Sequence, residues 1–317
     1  SHNPAGWNAL KFLNEKGEFI SAAFGEEVIN RANNENYSFV ESKNIGKITY
    51  SKVSIGDHIN KILNLALVDI PSIKAKKFKI IIDSVNSTGS IVIPLLLKKL
   101  GVEVVQINEE PTGVFAHNPE PLPINIRQIC KEIKNGKFDL GIVVDPDVDR
   151  LVFVDENGEP FGEEYTLVAV SDYVLSKSPG NTVSNLSSTK ALKLVTEKRN
   201  GNYYPAAVGE VNVVAKMKEV AAVIGGEGNG GIIYPELHYG RDALVGIALF
   251  LSFLAQFGRS ASMLRSQYPN YFISKNKIEI ESEIKIEAVL EMLKERYSKH
   301  QISTIDGLKI DFDEEWI

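Results

Sequence analysis

Asp145-Pro146-Asp147-Val148-Asp149-Arg150 packs three carboxylates into six residues. The stretch lies between two apolar runs, Leu140 to Val144 and Leu151 to Val154, which read as strands. In extended chain, residues two apart point the same way. The spacing therefore predicts three carboxylates converging at a strand end. Unpaired, they would repel and raise one another's pKa. A hard divalent cation with oxygen ligands relieves that cost, and magnesium is the expected ion where phosphate is also handled. The carboxyl end of a strand is where an α/β sheet normally binds its ligand. Arg150 would there meet a phosphate or pair with one of the aspartates. A solvated acidic turn has the same composition. A calcium loop of the EF-hand type fits less well, although Glu156 falls at its twelfth position. Arg150 stands where that loop needs glycine, and the flanks read as strands, not helices.

A second stretch, Gly226-Glu227-Gly228-Asn229-Gly230-Gly231, satisfies G-x-G-x-x-G after a strand-like run. A dinucleotide-binding turn would need a helix to begin at once and present its N-terminus to a pyrophosphate. Ile232-Ile233-Tyr234-Pro235 instead reads as a short strand stopped by proline. Glycines here allow close backbone approach. Glu227 accepts hydrogen bonds and Asn229 donates or accepts them, a set suited to hydroxyl groups. The opening Ser1-His2-Asn3-Pro4 is a weak signal by itself, since serine before Asn-Pro is usually a turn residue.

Taken together the three stretches resemble the α-D-phosphohexomutases, which include phosphoglucomutase, phosphomannomutase/phosphoglucomutase and phosphoglucosamine mutase. Ser-His-Asn-Pro followed by Asn8-x-x-Lys11 is similar to that family's phosphoserine loop. Asp145 to Arg150 is similar to its metal loop, and Gly226 to Gly231 to its sugar-binding loop. The resemblance implies interconversion of hexose (or hexosamine) 1-phosphate and 6-phosphate through a phosphorylated Ser1 and a bisphosphorylated intermediate. It implies Mg2+ on Asp145, Asp147, Asp149 and Ser1, with a hexose 1,6-bisphosphate as activator. Ser1, His2, Lys11 and Arg150 become the expected catalytic residues; Glu227, Asn229 and Gly209 become the expected substrate contacts. The partner is then a small sugar phosphate. Two departures stand out. Many members carry Ser at Asn229 and a proton-transferring His at Gly231, so the second acid/base group is unassigned; His238 is a nearby candidate. The family's fourth domain carries a phosphate-binding loop that does not occur before Ile317. A non-catalytic sugar-phosphate-binding relative is therefore the alternative, and a phosphohydrolase using the aspartates a third reading.

The elements that must hold these stretches alternate strand and helix. Strand-like runs at Lys79 to Asp83, Val102 to Ile107 and Asp139 to Val144 are separated by helical Ile91 to Leu100 and Asn125 to Ile133. The pattern recurs: helix at Glu164 to Leu175, strand at Thr182 to Leu186, helix at Lys190 to Lys198, strand at Tyr203 to Ala207, helix at Val211 to Glu219, strand at Ala221 to Ile224 and a strongly apolar helix at Asp242 to Phe257. This spacing predicts an α/β fold of successive related α/β domains with mixed, mostly parallel sheets. The flanks add a helix at Ala22 to Ala32, strand-like Ile45 to Val53 and Asn276 to Glu281, a helix at Ile286 to Tyr297 and two strand-like pieces ending at Ile317. With the resemblance, residues 1–53 are expected to end a phosphoserine domain, 54–152 and 153–268 to form α/β domains carrying the metal and sugar loops, and 269–317 to begin a truncated α+β domain. The chain, which opens on Ser1, is expected to be part of something longer.

Composition agrees with a globular enzyme. The 317 residues are 44% hydrophobic with net charge −6. Acids and bases are interspersed without a long basic run, which argues against nucleic acid. No apolar run reaches the roughly 18 residues of a membrane span. The single Cys130 fits a reducing, cytoplasmic setting and a packing role rather than a nucleophile's. Sequons at Asn36, Asn86 and Asn185 would then go unused. Oligomeric state is not legible.

Overall fold

A computed structural model describes residues 1–317 except 1, 4–5, 8, 275–277, 280–284 and 313–314. Helix α1 (Ala22–Asn33) is capped by Ser21, whose hydroxyl accepts from Phe24 N. None of its residues is buried. Helices α2 (Ser54–Leu63) and α3 (Ile70–Lys76) follow, and neither is expected from the sequence reading above. Ile59, Ile62 and Ile73 bury their inner faces, and Asp69 caps α3 through Ser72 N.

The first sheet contains β1 (Lys79–Asp83), β2 (Glu103–Ile107), β3 (Leu140–Val144) and β4 (Leu151–Val154), with α4 (Gly89–Lys99) and α5 (Arg127–Asn135) as crossovers. Its strand order is β2-β1-β3-β4. β1 runs parallel to β2 and β3, while β4 returns antiparallel along β3, pairing Val144 with Leu151. The second sheet repeats the scheme. After α6 (Glu163–Lys177) come β5 (Asn181–Asn185), α7 (Ala191–Lys198), β6 (Tyr203–Ala206), α8 (Glu210–Glu219), β7 (Ala222–Glu227) and β8 (Gly231–Ile233). The order is β6-β5-β7-β8, again parallel but for the last strand. The mixed, mostly parallel α/β architecture is the one expected. The aspartate loop closes the β3–β4 hairpin and the glycine loop closes the β7–β8 hairpin, at equivalent places in the two sheets.

Helix α9 (Ala243–Phe257) joins the two units. Its face-to-face apolarity predicts burial on all sides, and twelve of its fifteen residues are buried. It packs on α2, α3, α6, β4 and β8. Phe250 stacks on Phe153 of β4 at 3.8 Å between ring centroids. A Cβ on Gly246 would lie 2.9 Å from Leu151 and 3.1 Å from Ile232, so glycine lets the helix sit against both hairpins. One continuous core runs through both units. The remaining elements are α10 (Ala261–Arg265), α11 (Ile286–Arg296) and a short antiparallel pair, β9 (Gln301–Ser303) and β10 (Lys309–Asp311).

Two expectations change. Ile45 to Val53 forms no strand: the segment is exposed, follows a 3-10 turn at Ser42–Asn44 and pairs with no strand among the described residues. Alternation alone cannot make a strand without a ladder to join. The strand read at 276–281 falls largely outside the described residues.

Candidate functional site

The aspartate loop is built by its own first member. Asp145, at the end of β3 and fully buried, accepts backbone N–H bonds at Oδ1 from Asp149 (3.1 Å) and Arg150 (3.0 Å). Ser87 and Thr88, in the loop after β1, donate to the carbonyl of Pro146. Val148 holds a left-handed φ of 60°. For a β-branched residue that conformation is strained and must be imposed by its surroundings; the Val148 carbonyl accepts from Ala243 N at the start of α9. Ligand oxygens of Asp145, Asp147 and Asp149 lie within 4.8 Å of one another. Asp145 Oδ2 is buried with no hydrogen-bond donor. Burial first, then the charges of Asp149 and Asp147, push the Asp145 carboxyl up to about 8.

Two cations face this cluster. Lys11 comes from the N-terminal segment and lies 2.5 Å from Asp147 Oδ2 and 3.0 Å from Asp149 Oδ2. Burial works against its charge, but these carboxylates prevail and raise its pKa. Arg241, the residue before the cap of α9, is not among the residues expected from the sequence. Its Nη2 donates to Asp149 Oδ2, its Nη1 to Glu227 Oε2 and its Nε to Glu210 Oε2, each at 2.8 Å. The guanidinium is buried, which opposes the charge, yet Asp149, Glu227 and Glu210 hold its pKa above the ordinary value. One arginine thus ties the aspartate hairpin to the glycine hairpin. Glu210 was also missed. The signal available for both was a surplus of acid in the two loops, which demands a buried cation; which cation answers it depends on tertiary contacts.

Arg150 does not pair with the aspartates through its side chain. The guanidinium turns instead to Glu120 Oε1 (2.9 Å), with Nη2 3.3 Å from His2 Nε2. Glu120 offers it a carboxylate, while the aspartates already draw their cations from Lys11 and Arg241. Burial, then the Arg150 charge, lowers the His2 pKa. A neutral His2 accepting from Arg150 at Nε2 satisfies both. Ser1, expected as nucleophile and metal ligand, lies outside the described residues.

Glu227 ends β7, buried, and also accepts from Asn185 and Asn229 at 3.4 Å. Asn229 Oδ1 receives the Gly231 N–H at 3.2 Å, folding the loop on itself. A Cβ on Gly230 (φ 84°) would lie 2.1 Å from the Leu151 carbonyl oxygen, and one on Gly231 would lie 2.4 Å from Arg241 Cδ. The position where many family members carry histidine is therefore filled by the arginine stem. Gly209, at φ 109°, is the residue before α8; its neighbour Glu210 is the one that reaches the cluster. His238 meets Asp242 Oδ2 at 3.1 Å and lines a cavity that Arg241 also lines.

Family models for phosphoglucomutase/phosphomannomutase match residues 56–158 (alpha/beta/alpha domain II) and 162–271 (alpha/beta/alpha domain III). The chain is 33% identical, over its whole length and 69% of the relative's, to a phosphoglucomutase/phosphomannomutase of Thermococcus kodakarensis. It is 30% identical, over 70% of the relative, to a probable phosphoglucosamine mutase of Methanopyrus kandleri. A crystal structure of a phosphoglucomutase/phosphomannomutase family protein from Burkholderia thailandensis shares the fold, with a TM-score of 0.79 at 22% identity. That alignment covers 94% of this chain and 62% of the other.

Proposed function

The chain belongs to the α-D-phosphohexomutase family, and we propose on that premise that it interconverts a hexose or hexosamine 1-phosphate and 6-phosphate. The observation that carries this reading is Arg241, whose fork binds the aspartate hairpin and the glycine hairpin into one surface. Phosphoryl transfer asks a protein mainly for positioning and charge neutralisation. The two hairpins supply these separately.

The aspartate trio suits a hard divalent ion: its donors are all carboxylate oxygens, and Asp145 Oδ2 is a buried acceptor without a donor. Asp145, Asp147 and Asp149 would hold Mg2+, which when bound supplies charge neutralisation for phosphoryl oxygens. Lys11 stays protonated beside Asp147 and Asp149 and can shift its ammonium onto a phosphoryl oxygen. Glu227, oriented by Arg241 Nη1, accepts from sugar hydroxyls through its remaining lone pairs, with Asn229 beside it. In the proposed step the bond between Ser1 Oγ and phosphorus breaks as a sugar hydroxyl oxygen bonds to phosphorus. His2, kept neutral by burial and Arg150, exchanges Arg150 for the sugar hydroxyl at Nε2, takes its proton and returns it to the departing Ser1 Oγ, so that the serine leaves as a hydroxyl. The resulting bisphosphate turns over and returns its other phosphoryl group to Ser1.

The test is 31P NMR of the glucose, mannose and glucosamine 1-/6-phosphate pairs incubated with the protein, Mg2+ and a hexose 1,6-bisphosphate primer. The expected result is isomer formation from at least one pair, together with a one-phosphate mass increase that Ser1→Ala lacks. Release of inorganic phosphate without an isomer, or binding without either, overturns the proposal.

A further inference from the structure

Beside the aspartate trio, three side chains from two segments converge on one point. His58 extends from α2, His238 from the loop after β8, and Asp242 caps α9. His58 Nε2 lies 2.7 Å and His238 Nε2 3.1 Å from the same atom, Asp242 Oδ2. The three ligand atoms lie within 4.8 Å of one another. Asp242 is buried and both histidines are about one-third exposed, so the cluster is reachable from solvent. Its other oxygen, Oδ1, is fixed by the N–H groups of Leu244 (2.7 Å) and Val245 (3.2 Å). That leaves Oδ2 aimed at the imidazoles and nowhere else.

Helix capping needs only Oδ1. It does not require two imidazoles on the second oxygen, drawn from positions 180 residues apart by 238 − 58. Two imidazole nitrogens and one oriented carboxylate oxygen are the donor set of zinc-class sites, in which three protein ligands leave a fourth position open. Ligating carboxylates are characteristically held by further hydrogen bonds, as Asp242 is. Bonds of about 2.0–2.1 Å in tetrahedral geometry separate ligand atoms by roughly 3.3 Å. From Asp242 Oδ2, His58 Nε2 would retreat by roughly 0.6 Å and His238 Nε2 by roughly 0.2 Å, within reach of small χ changes in one-third-exposed side chains. The cluster borders a cavity of about 400 Å³ that Thr88, Asp147 and Arg241 also line. An open coordination position would face that space.

We propose that His58, His238 and Asp242 form a binding site for a borderline divalent transition-metal ion of the zinc class, distinct from the all-carboxylate trio. Imidazole donors favour zinc, cobalt, nickel or copper over magnesium, whereas the trio has the opposite preference. The bound ion would cross-link α2 to the first turn of α9. It would thereby brace Arg241, the residue next to Asp242, on Asp149 and Glu227. The inference does not rest on the mutase reading.

The test saturates the protein with Mg2+ and then titrates in Co2+, following the visible d–d absorption of imidazole-bound cobalt, with Zn2+ as displacing ion. One equivalent of Co2+ should bind and be displaced by Zn2+, and Zn2+ should raise Tm. His58→Ala and His238→Ala should each weaken uptake tenfold or more and abolish the Tm rise. Asp147→Asn should bind Co2+ unchanged. Each histidine variant is judged by its far-UV circular dichroism; should one fail to fold, the other carries the test, with His58→Gln and His238→Gln in reserve. Absence of uptake in the Mg2+-saturated protein, or uptake undiminished in a folded histidine variant, overturns the proposal and leaves the histidines as hydrogen-bonding partners of Asp242.

Discussion

Arg241 Nη2 sits 2.8 Å from Asp149 Oδ2 although 92 residues separate them in sequence. The same guanidinium pairs with Glu227 and Glu210, so removing it takes the cation from both at once and leaves Asp149 with Lys11 alone. Breaking a buried pair by deleting one partner costs about 3–5 kcal/mol. Arg241→Ala should therefore lower the unfolding free energy by about that amount in urea titrations without Mg2+. Arg241→Lys should recover only part of it, because an ammonium cannot reproduce three fork-directed bonds. A loss below about 1 kcal/mol would show that the clamp is ornamental.

Gly231 and Arg241 form a size-matched pair. A methyl group at 231 meets Arg241 Cδ at 2.4 Å and Asn229 Oδ1 at 3.1 Å. The arginine stem cannot step aside freely, since its head is held at three points. Gly231→Ala should cost about 1–3 kcal/mol, the usual range for overpacking. In an Arg241→Ala background the same change should cost markedly less. A double-mutant cycle read by thermal unfolding gives the coupling, and additivity of the two changes would refute the pairing.

The aspartate trio trades stability against metal affinity. Asp145→Asn replaces the buried, donor-less oxygen with an amide that can donate to Asp147 or Asp149. Thermal stability in EDTA should rise, while the Tm increase produced by Mg2+ should vanish. Asp147→Asn should likewise abolish the Mg2+ effect, and it also removes a charge from the Lys11 pair. Retention of a normal Mg2+-induced shift in either variant would contradict the assignment.

His117 reports on pH. Its Nε2 lies 3.0 Å from the fully buried Asp83 Oδ2, and this bond raises the His117 pKa despite desolvation. A raised histidine pKa means the folded state holds the proton more tightly than the unfolded chain does. The stabilisation is fully present below the unfolded value of about 6.5 and fades as pH climbs through the raised folded value. His117→Gln should therefore be more destabilising at pH 5.5 than at pH 9, by about 1 kcal/mol. An equal penalty at both pH values would mean that the charge contributes nothing.

Much of this architecture was legible because its determinants are local. The apolar runs at Leu140 to Val144 and Leu151 to Val154 bracket Asp145 to Arg150 tightly enough to define a hairpin and its carboxylate cluster. Helix α9 could be read from its unbroken apolarity. Helix α2 was legible but went unread: Ile55, Ile59, Ile62 and Leu63 recur at helical spacing; α3, seven residues with Pro71 in its first turn, offers too short a stretch to show a period. Arg241 was illegible for a different reason. Its three partners come from positions 149, 210 and 227, and no pattern along the chain links them. Of the two expectations for Arg150, pairing with the trio does not occur: adjacent in sequence, its guanidinium faces Glu120.

The duplicated sheet scheme has a mechanical corollary. Because α9 is seated against Leu151 of one hairpin and Ile232 of the other, and takes a hydrogen bond from Ala243 to Val148, the aspartate and glycine loops ride on a single strut. They cannot separate without unseating that helix. In the proposed reaction, a sugar that must present first one end and then the other would turn over above a fixed floor. The freedom for that turn would then belong to the walls, among them the exposed stretch that carries Lys11.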